Sequence, residues 1–339
     1  MKNNLFESRF YKREKDNSVE CTLCPRYCVI SDGKVGYCNV RKNIGGKLYS
    51  LPYGHPIALN MDPIEKKPLY HFYPGTRILS IGTYGCNLGC LFCQNYDISR
   101  GKYNEFNLGT FIEPEEIIQA ALRYDSIGIA YTYNEPTVFA EYVIDISNLA
   151  RSRGLKNVMV TNGYISHEAI RELYKFIDAA NVDLKSIDTE FYRKYVKGEL
   201  EPVLYTLKSL KDMGVWIEIT NLIIPGLNDS DDNIAGLVSW ILDNLGDYIP
   251  LHFSAFHPTY KMTNRPRTSK DNLDRARDIA LKMGVKYVYE GNVLTTAEGN
   301  TYCPNCGELL IERSYFDVIR NKIKGGLCPE CGEKIDVIY

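Results

Sequence analysis

The chain has 339 residues, 45% of them hydrophobic, and a formal net charge of −2. That length accommodates one large domain with attachments, and this balance excludes both a disordered chain and a basic nucleic-acid footprint. The start is polar and charged, with no signal-peptide pattern, and no apolar run approaches the ~18–20 residues of a membrane span, so a cytoplasmic protein is expected.

The eleven cysteines fall into three tight groups with none left over. In a reducing compartment such grouping signals metal sites rather than disulfides. The first group, Cys21, Cys24, Cys28 and Cys38, has the number for one closed site, either a structural zinc or an auxiliary iron–sulfur cluster. Next comes a stretch dense in polar and aromatic groups, from Tyr53-Gly54-His55-Pro56 to His71. It either crosses the mouth of the following domain to contact substrate or serves as a linker strapped to that domain.

From Arg77 to Gly291, short β-branched or apolar runs alternate with amphipathic stretches of helical period. Strands are predicted at Arg77–Gly82, Ile127–Tyr131, Asn157–Val160, Ala179–Asp183, Val215–Thr220 and Leu251–Ala255, with a further short one at Lys286–Tyr289. Helices are predicted between them at Pro114–Tyr124, Val138–Arg151, His167–Phe176, Glu201–Met213, Asp231–Asn244 and Asp271–Met283. Pro114 suits a first helical turn, and Gly154, Gly214 and Gly284 sit where left-handed helix stops are expected.

Repeated βα units imply a parallel sheet, doubly wound or curling toward a barrel. The unusual polar residues follow the predicted strands: Cys86–Cys93, then Asn134-Glu135-Pro136, Thr161-Asn162-Gly163, Asp183-Leu184-Lys185, Asn221 to Pro225-Gly226, and His257-Pro258. Sites in parallel α/β folds are built at the carboxyl ends of strands, so this placement favours a barrel with its site on one face.

Within that set, Cys86-Asn87-Leu88-Gly89-Cys90-Leu91-Phe92-Cys93 carries most of the functional information. Three thiolates at C-x3-C-x2-C spacing hold three irons of a [4Fe–4S] cube and leave the fourth open, as catalytic metal sites do. S-adenosylmethionine (SAM) has the amine and carboxylate to chelate that iron. A zinc knuckle is the alternative for the three cysteines alone, and the strand-end setting argues against it. The chain closes with Cys303-Pro304-Asn305-Cys306-Gly307 and Cys328-Pro329-Glu330-Cys331-Gly332, paired knuckles for a tetrahedral S4 site holding zinc or a single iron. Acidic residues such as Glu308, Glu312 and Asp336 dilute the ribbon's basic charge and make nucleic acid an improbable ligand.

Taken together, Cys93-Gln94-Asn95, Tyr133-Asn134-Glu135-Pro136, Thr161-Asn162-Gly163, Asp183-Leu184-Lys185 and Ile224-Pro225-Gly226 resemble the radical SAM superfamily, in the branch of the pyruvate formate-lyase activating enzymes. Cys21 to Cys28, Asp62-Pro63-Ile64-Glu65-Lys66-Lys67-Pro68-Leu69-Tyr70-His71 and the closing ribbon are similar to the AmmeMemoRadiSam-system radical SAM enzymes. The resemblance implies an α/β fold: a partial (β/α)6 TIM-like barrel at 76–300, an N-terminal four-cysteine extension at 1–75 and a zinc-ribbon or rubredoxin-like ribbon at 301–339. It implies that Cys86, Cys90 and Cys93 hold the cluster. Glu135, with Tyr133 and Asn134, would meet the SAM amino group, and Thr161, Asn162, Asp183, Lys185 and His257 would complete the SAM site. Taken on their own, Glu135 also suits a helix cap and Lys185 a structural ion pair with Asp183. Val160 replaces an aspartate of the activases, Thr220 an arginine, and Asn134 a glycine, so cation binding and carboxylate recognition differ here.

The implied activity is reductive cleavage of SAM at the cluster to a 5′-deoxyadenosyl radical, fed by a flavodoxin or ferredoxin, with hydrogen abstraction from a protein or peptide. A small-molecule or lipid substrate is the alternative within the class, and a non-catalytic iron–sulfur or zinc carrier the alternative outside it. AMMECR-like and Memo-like proteins are the partners the narrower resemblance implies.

Overall fold

The computed structural model describes residues 5–101, 110–293 and 299–339. Its centre is a single eight-stranded sheet, here β1 (Ala58–Pro63), β2 (Arg77–Gly82), β3 (Gly128–Tyr131), β4 (Lys156–Thr161), β5 (Ala179–Asp183), β6 (Trp216–Ile223), β7 (Leu251–Ala255) and β8 (Val288–Gly291). The strands lie side by side in that order. From β2 to β8 all neighbours are parallel, whereas β1 pairs antiparallel with β2, Ala58 opposite Gly82 and Pro63 opposite Arg77. Six crossovers join β2 to β8, each passing a helix, and β1 and β8 form no pairing with each other. The sheet is therefore a partial barrel with an open seam.

Burial explains the strand composition. Helices cover the outer face of the parallel strands, and β3 is buried along its whole length, whereas the edge strand β1 is partly exposed. The flanking helices show the expected starts: Glu113 and Glu116 form a reciprocal capping box ahead of Pro114–Arg123, and Ser230 and Ser269 cap the helices Asp231–Asn244 and Lys270–Met283.

Two elements depart from the sequence reading. The helix expected at His167–Phe176 is a single turn, Ile170–Leu173. Ser166 turns the chain on one side, its Oγ meeting the Ala169 N–H at 3.2 Å. Beyond it, the Ile177 N–H turns back to the Tyr174 carbonyl, and Asp178 already docks on Asn157 to start β5. Strand β1 goes unnoticed in the sequence because Ala58-Leu59-Asn60-Met61-Asp62-Pro63 has no β-branched residue and ends in proline. Proline is tolerated there because β1 is an edge strand.

The chain ahead of β1 forms two small antiparallel sheets: Tyr11–Arg13 with Val19–Cys21 and Val29–Ile30, and Phe6–Glu7 with Lys47–Ser50 and Arg41–Ile44. They are pinned to the barrel helix Ala140–Ser152 by Arg41 and Glu141, which are 1% and 0% exposed. Arg41 donates Nη1 and Nη2 to the two Glu141 oxygens at 2.8 and 2.5 Å, and the Arg9 N–H adds a third bond at 3.0 Å. The residues after β8 form a ribbon, Thr301–Tyr302, Leu309–Ser314 and Asp317–Asn321. Its buried Arg313 donates to the Tyr70 carbonyl at 2.8 Å and lies over the Tyr70 ring. His71 ties the same junction: Nδ1 meets the Asp336 carbonyl and Nε2 the Tyr289 hydroxyl, each at 2.5 Å. Beneath it, Glu218 accepts from the Tyr70 and His71 N–H groups and lies 2.7 Å from His252 Nε2. No described helix is long and apolar enough to cross a membrane.

Two predictions follow from these anchors. Glu141→Gln leaves the Arg41 charge buried without its counter-charge and should lower stability by about 3–5 kcal/mol in urea denaturation. Burial pushes His71 from 6.5 down to about 4. It is neutral in the fold and takes up a proton only on unfolding, so stability rises with pH between those two values and levels off above them. That range corresponds to about 3 kcal/mol. A pH series of denaturation midpoints should be shallower for His71→Gln than for the parent across this range.

Candidate active site

At the carboxyl ends of the strands lies a cavity of about 550 Å³. The loop after β2 brings Cys86, Cys90 and Cys93 to it; β3 and its exit bring Tyr133, Asn134 and Glu135; β4 brings Thr161 and Asn162; β5 brings Asp183 and Lys185. His257 is not among the lining residues; its Nε2 lies 3.4 Å from the carbonyl of Asn292, which does line the cavity.

The cysteine loop needs a left-handed entry. Gly85 has φ +89°, and a Cβ there would lie 2.7 Å from the Cys38 carbonyl oxygen and 2.6 Å from Val40. A side chain is excluded by backbone conformation and by contact with the N-terminal extension. Asn134 holds the same turn: its Oδ1 accepts from the Thr83 N–H at 2.9 Å and its Nδ2 donates to the Gly85 carbonyl at 3.0 Å. This gives a physical account of asparagine at a position where the resembled family has glycine. Farther along, the Gly89 and Leu91 N–H groups donate to the Val196 and Tyr195 carbonyls, and Arg100 reaches the Cys86 and Leu88 carbonyls. Phe92 is buried against Phe191.

The three thiols sit where a positive metal centre suits them. Burial raises all three, Cys90 to about 11, although Lys185 opposes this at Cys90. A bound cationic cluster lowers such thiols and takes them as thiolates. The Asn162 amide stands 3.6 Å from Cys86 Sγ and 3.0 Å from Asn87 Oδ1, a donor that would tune the potential of a cluster held at that sulfur.

Glu135 is 3% exposed and both caps and lines. Its Oε1 accepts from the Thr137 N–H (2.9 Å), Thr137 Oγ1 (2.7 Å) and Thr161 Oγ1 (2.8 Å), while Oε2 accepts from the Asn162 N–H (2.8 Å). Burial raises its carboxyl, and these donors offset part of that rise. A carboxylate oxygen has two lone pairs, so Oε2 keeps one acceptor position. Lys185 and Asp183 pair at 2.7 Å. Burial opposes the Lys185 charge, but Asp183 and Cys90 outweigh it and hold its pKa up. Thr220, at the position of the resembled family's arginine, donates to Asn181 Oδ1 and also lines the cavity.

Sequence reasoning did not assign Lys66 and Lys67, which reach the cavity from the chain after β1. Lys67 is buried, pairs with Asp62 at 2.6 Å, and is pushed down to about 8 by burial. Asp62 also accepts from the Tyr133 hydroxyl at 2.6 Å. The run Asp62 to His71 was the available signal; it supplies the last two residues of the edge strand, two cavity lysines and, at His71, an anchor on the far junction.

The radical SAM superfamily profile matches residues 80–238, and the chain belongs to the radical SAM superfamily. It is 48% identical over 334 residues to the uncharacterized protein MJ0808 of Methanocaldococcus jannaschii, covering 98% of this chain and 99% of that one. Among relatives of named activity, the pyruvate formate-lyase-activating enzyme of Clostridium pasteurianum is 26% identical, over 54% of this chain and 76% of its own. The pyruvate formate-lyase 1-activating enzyme of Escherichia coli K12 is 23% identical, over 64% and 93%. These likenesses place it beside the activating enzymes, and it is an enzyme. A radical SAM methyltransferase structure from Sphaerobacter thermophilus matches with a TM-score of 0.51 at 18% identity, over 65% of this chain and 67% of that one, a likeness of fold. The superfamily implies a [4Fe–4S] cluster and SAM. The residues present fit both, with three cysteines and Glu135, whose Oε2 keeps an acceptor position, lining one cavity.

In the C-terminal ribbon, Cys303, Cys306, Cys328 and Cys331 bring their sulfurs within 4.8 Å of one another. The Cys303–Cys331 and Cys306–Cys328 separations are 3.6 and 3.7 Å. Metal–sulfur bonds of ~2.3 Å in a tetrahedron put sulfurs roughly 3.8 Å apart, so this is an S4 site already at binding distance. Elemental analysis of Cys306→Ser, a substitution at an exposed position, should show about one equivalent of zinc or iron fewer per chain, with labile sulfide unchanged.

Proposed function

We propose that this enzyme uses SAM radical chemistry to abstract hydrogen from a protein or peptide, as a relative of the glycyl-radical activases. The observation that carries the reading is the convergence of Cys86, Cys90, Cys93 and Glu135 on one cavity at the strand ends. When bound, a reduced [4Fe–4S] cluster with SAM supplies reductive cleavage to methionine and a 5′-deoxyadenosyl radical. The chain's own residues then have defined tasks. Cys86, Cys90 and Cys93 ligate, and the Asn134-braced turn keeps their loop in register. The open position on Glu135 Oε2 would accept from the SAM ammonium, and Lys185 would meet its carboxylate. Tyr133, held by its bond to Asp62, walls the cavity.

The unpaired edges β1 and β8 leave a seam beside the cavity, and this favours a polypeptide substrate. The names of the activating-enzyme relatives support the same reading. A flavodoxin or ferredoxin is the proposed electron donor. AMMECR-like and Memo-like proteins are the proposed partners, to be sought by co-purification.

Anaerobic reconstitution with iron and sulfide, reduction with dithionite and addition of SAM should yield 5′-deoxyadenosine and methionine by mass spectrometry. Cys90→Ala should abolish both products while zinc content is retained; equal loss of every metal would indicate collapse instead. Glu135→Gln should weaken SAM binding about tenfold or more, through loss of a charge-assisted bond. With a deuterated cell extract split by ultrafiltration, the macromolecular fraction should transfer deuterium to 5′-deoxyadenosine. Transfer from the small-molecule fraction alone would overturn the polypeptide reading.

A further inference from the structure

The N-terminal cysteines invite comparison with the ribbon, because the two groups have the same number of thiols and a different geometry. Cys21, Cys24, Cys28 and Cys38 all line one cavity in the N-terminal extension. Among the described residues, the ribbon is the one group of three or more cysteine, histidine or acidic ligands whose atoms come within 4.8 Å of one another. No three of the N-terminal sulfurs meet that spacing, and neither do Cys86, Cys90 and Cys93. Tetrahedral zinc requires sulfurs roughly 3.8 Å apart, whereas thiolates around an iron–sulfur cluster stand farther apart, since they bind different irons.

The cavity between them measures about 20 Å³, comparable with the ~10–15 Å³ a single water needs. Its walls are chiefly sulfur and apolar groups, which give a water few partners. Arg41 also lines it, is 1% exposed, and carries a buried Nε–H with no hydrogen-bond partner. An Nε–H beside sulfur ligands suits the bridging sulfides of a cluster, which accept hydrogen bonds. A tetrahedral zinc presents no such acceptor beyond its thiolates.

We infer that Cys21, Cys24, Cys28 and Cys38 hold a second iron–sulfur cluster, closed by four thiolates and adjoining the Arg41 guanidinium. Its location gives that cluster a use. Asn87 lines this cavity while the preceding residue, Cys86, lines the catalytic one. Thr137 forms a second shared wall, lining the first cavity while bonding Glu135 in the other. The inference does not depend on the substrate reading.

The decisive sample is the full chain carrying Cys86→Ala, Cys90→Ala and Cys93→Ala, reconstituted anaerobically with iron and sulfide in the presence of zinc. It should retain iron and acid-labile sulfide in near-equal amounts, with a reducible cluster signal by EPR and about one zinc per chain in the ribbon. Further substitution of Cys24→Ser and Cys28→Ser should remove the iron and sulfide and leave the zinc. About two zincs per chain with no labile sulfide in the triple variant would overturn the inference, as would an N-terminal site that binds neither metal. Iron without labile sulfide would also overturn it, since that is a single iron in sulfur coordination. Circular dichroism of the triple variant against the parent establishes that these counts come from folded protein.

Discussion

The buried pair between Arg41 and Glu141 is the constraint on which the rest of this architecture leans. Two full charges leave water together, and only bidentate geometry with a third donor from Arg9 makes that tolerable. Once formed, the pair fixes the N-terminal extension against a helix of the barrel. That in turn sets the Cys38 carbonyl and Val40 against Gly85, where the catalytic cysteine loop begins. An interaction outside the catalytic cavity thus bears on the register of the three thiols.

The site itself works by saturating its polar groups and leaving one position unfilled. Glu135 is nearly satisfied by Thr137, Thr161 and Asn162, and this keeps a buried carboxylate in place without a permanent cation. Asn134 and Asn162 use both ends of their amides, one to brace the loop and one to reach Cys86 and Asn87. Side chains locked in this way have few alternative rotamers, so the cavity is shaped before any ligand enters it.

Much of this was legible in the sequence. Strands β2, β5 and β7 fall at their expected residues because each is a short, mainly apolar run bounded by polar turns. The cysteines stood out because metal ligation demands thiols at fixed spacing, and Glu135 because it follows a predicted strand in a segment that resembles the family. Strand β1 was not, since an edge strand has only one pairing partner to satisfy and tolerates a sequence without β-branching. Lys66 and Lys67 were not, because their position depends on that strand. The helix at Ile170–Leu173 was overestimated because periodicity in Glu168 to Phe176 says nothing about how soon the chain must reach β5. Glu135 caps the turn that follows it and also lines the cavity, and Lys185 pairs with Asp183 and lines the same cavity.

The contact at Gly85 bears on how such a protein can change over generations. Backbone from the extension and backbone from the barrel meet there with no space for a single methyl group. Neither side can accept an inserted residue or a bulkier neighbour unless the other shifts in compensation. The extension is therefore not a cassette that could be exchanged between barrels by recombination at the start of the sheet. Extension and barrel have to be inherited, and engineered, as one unit.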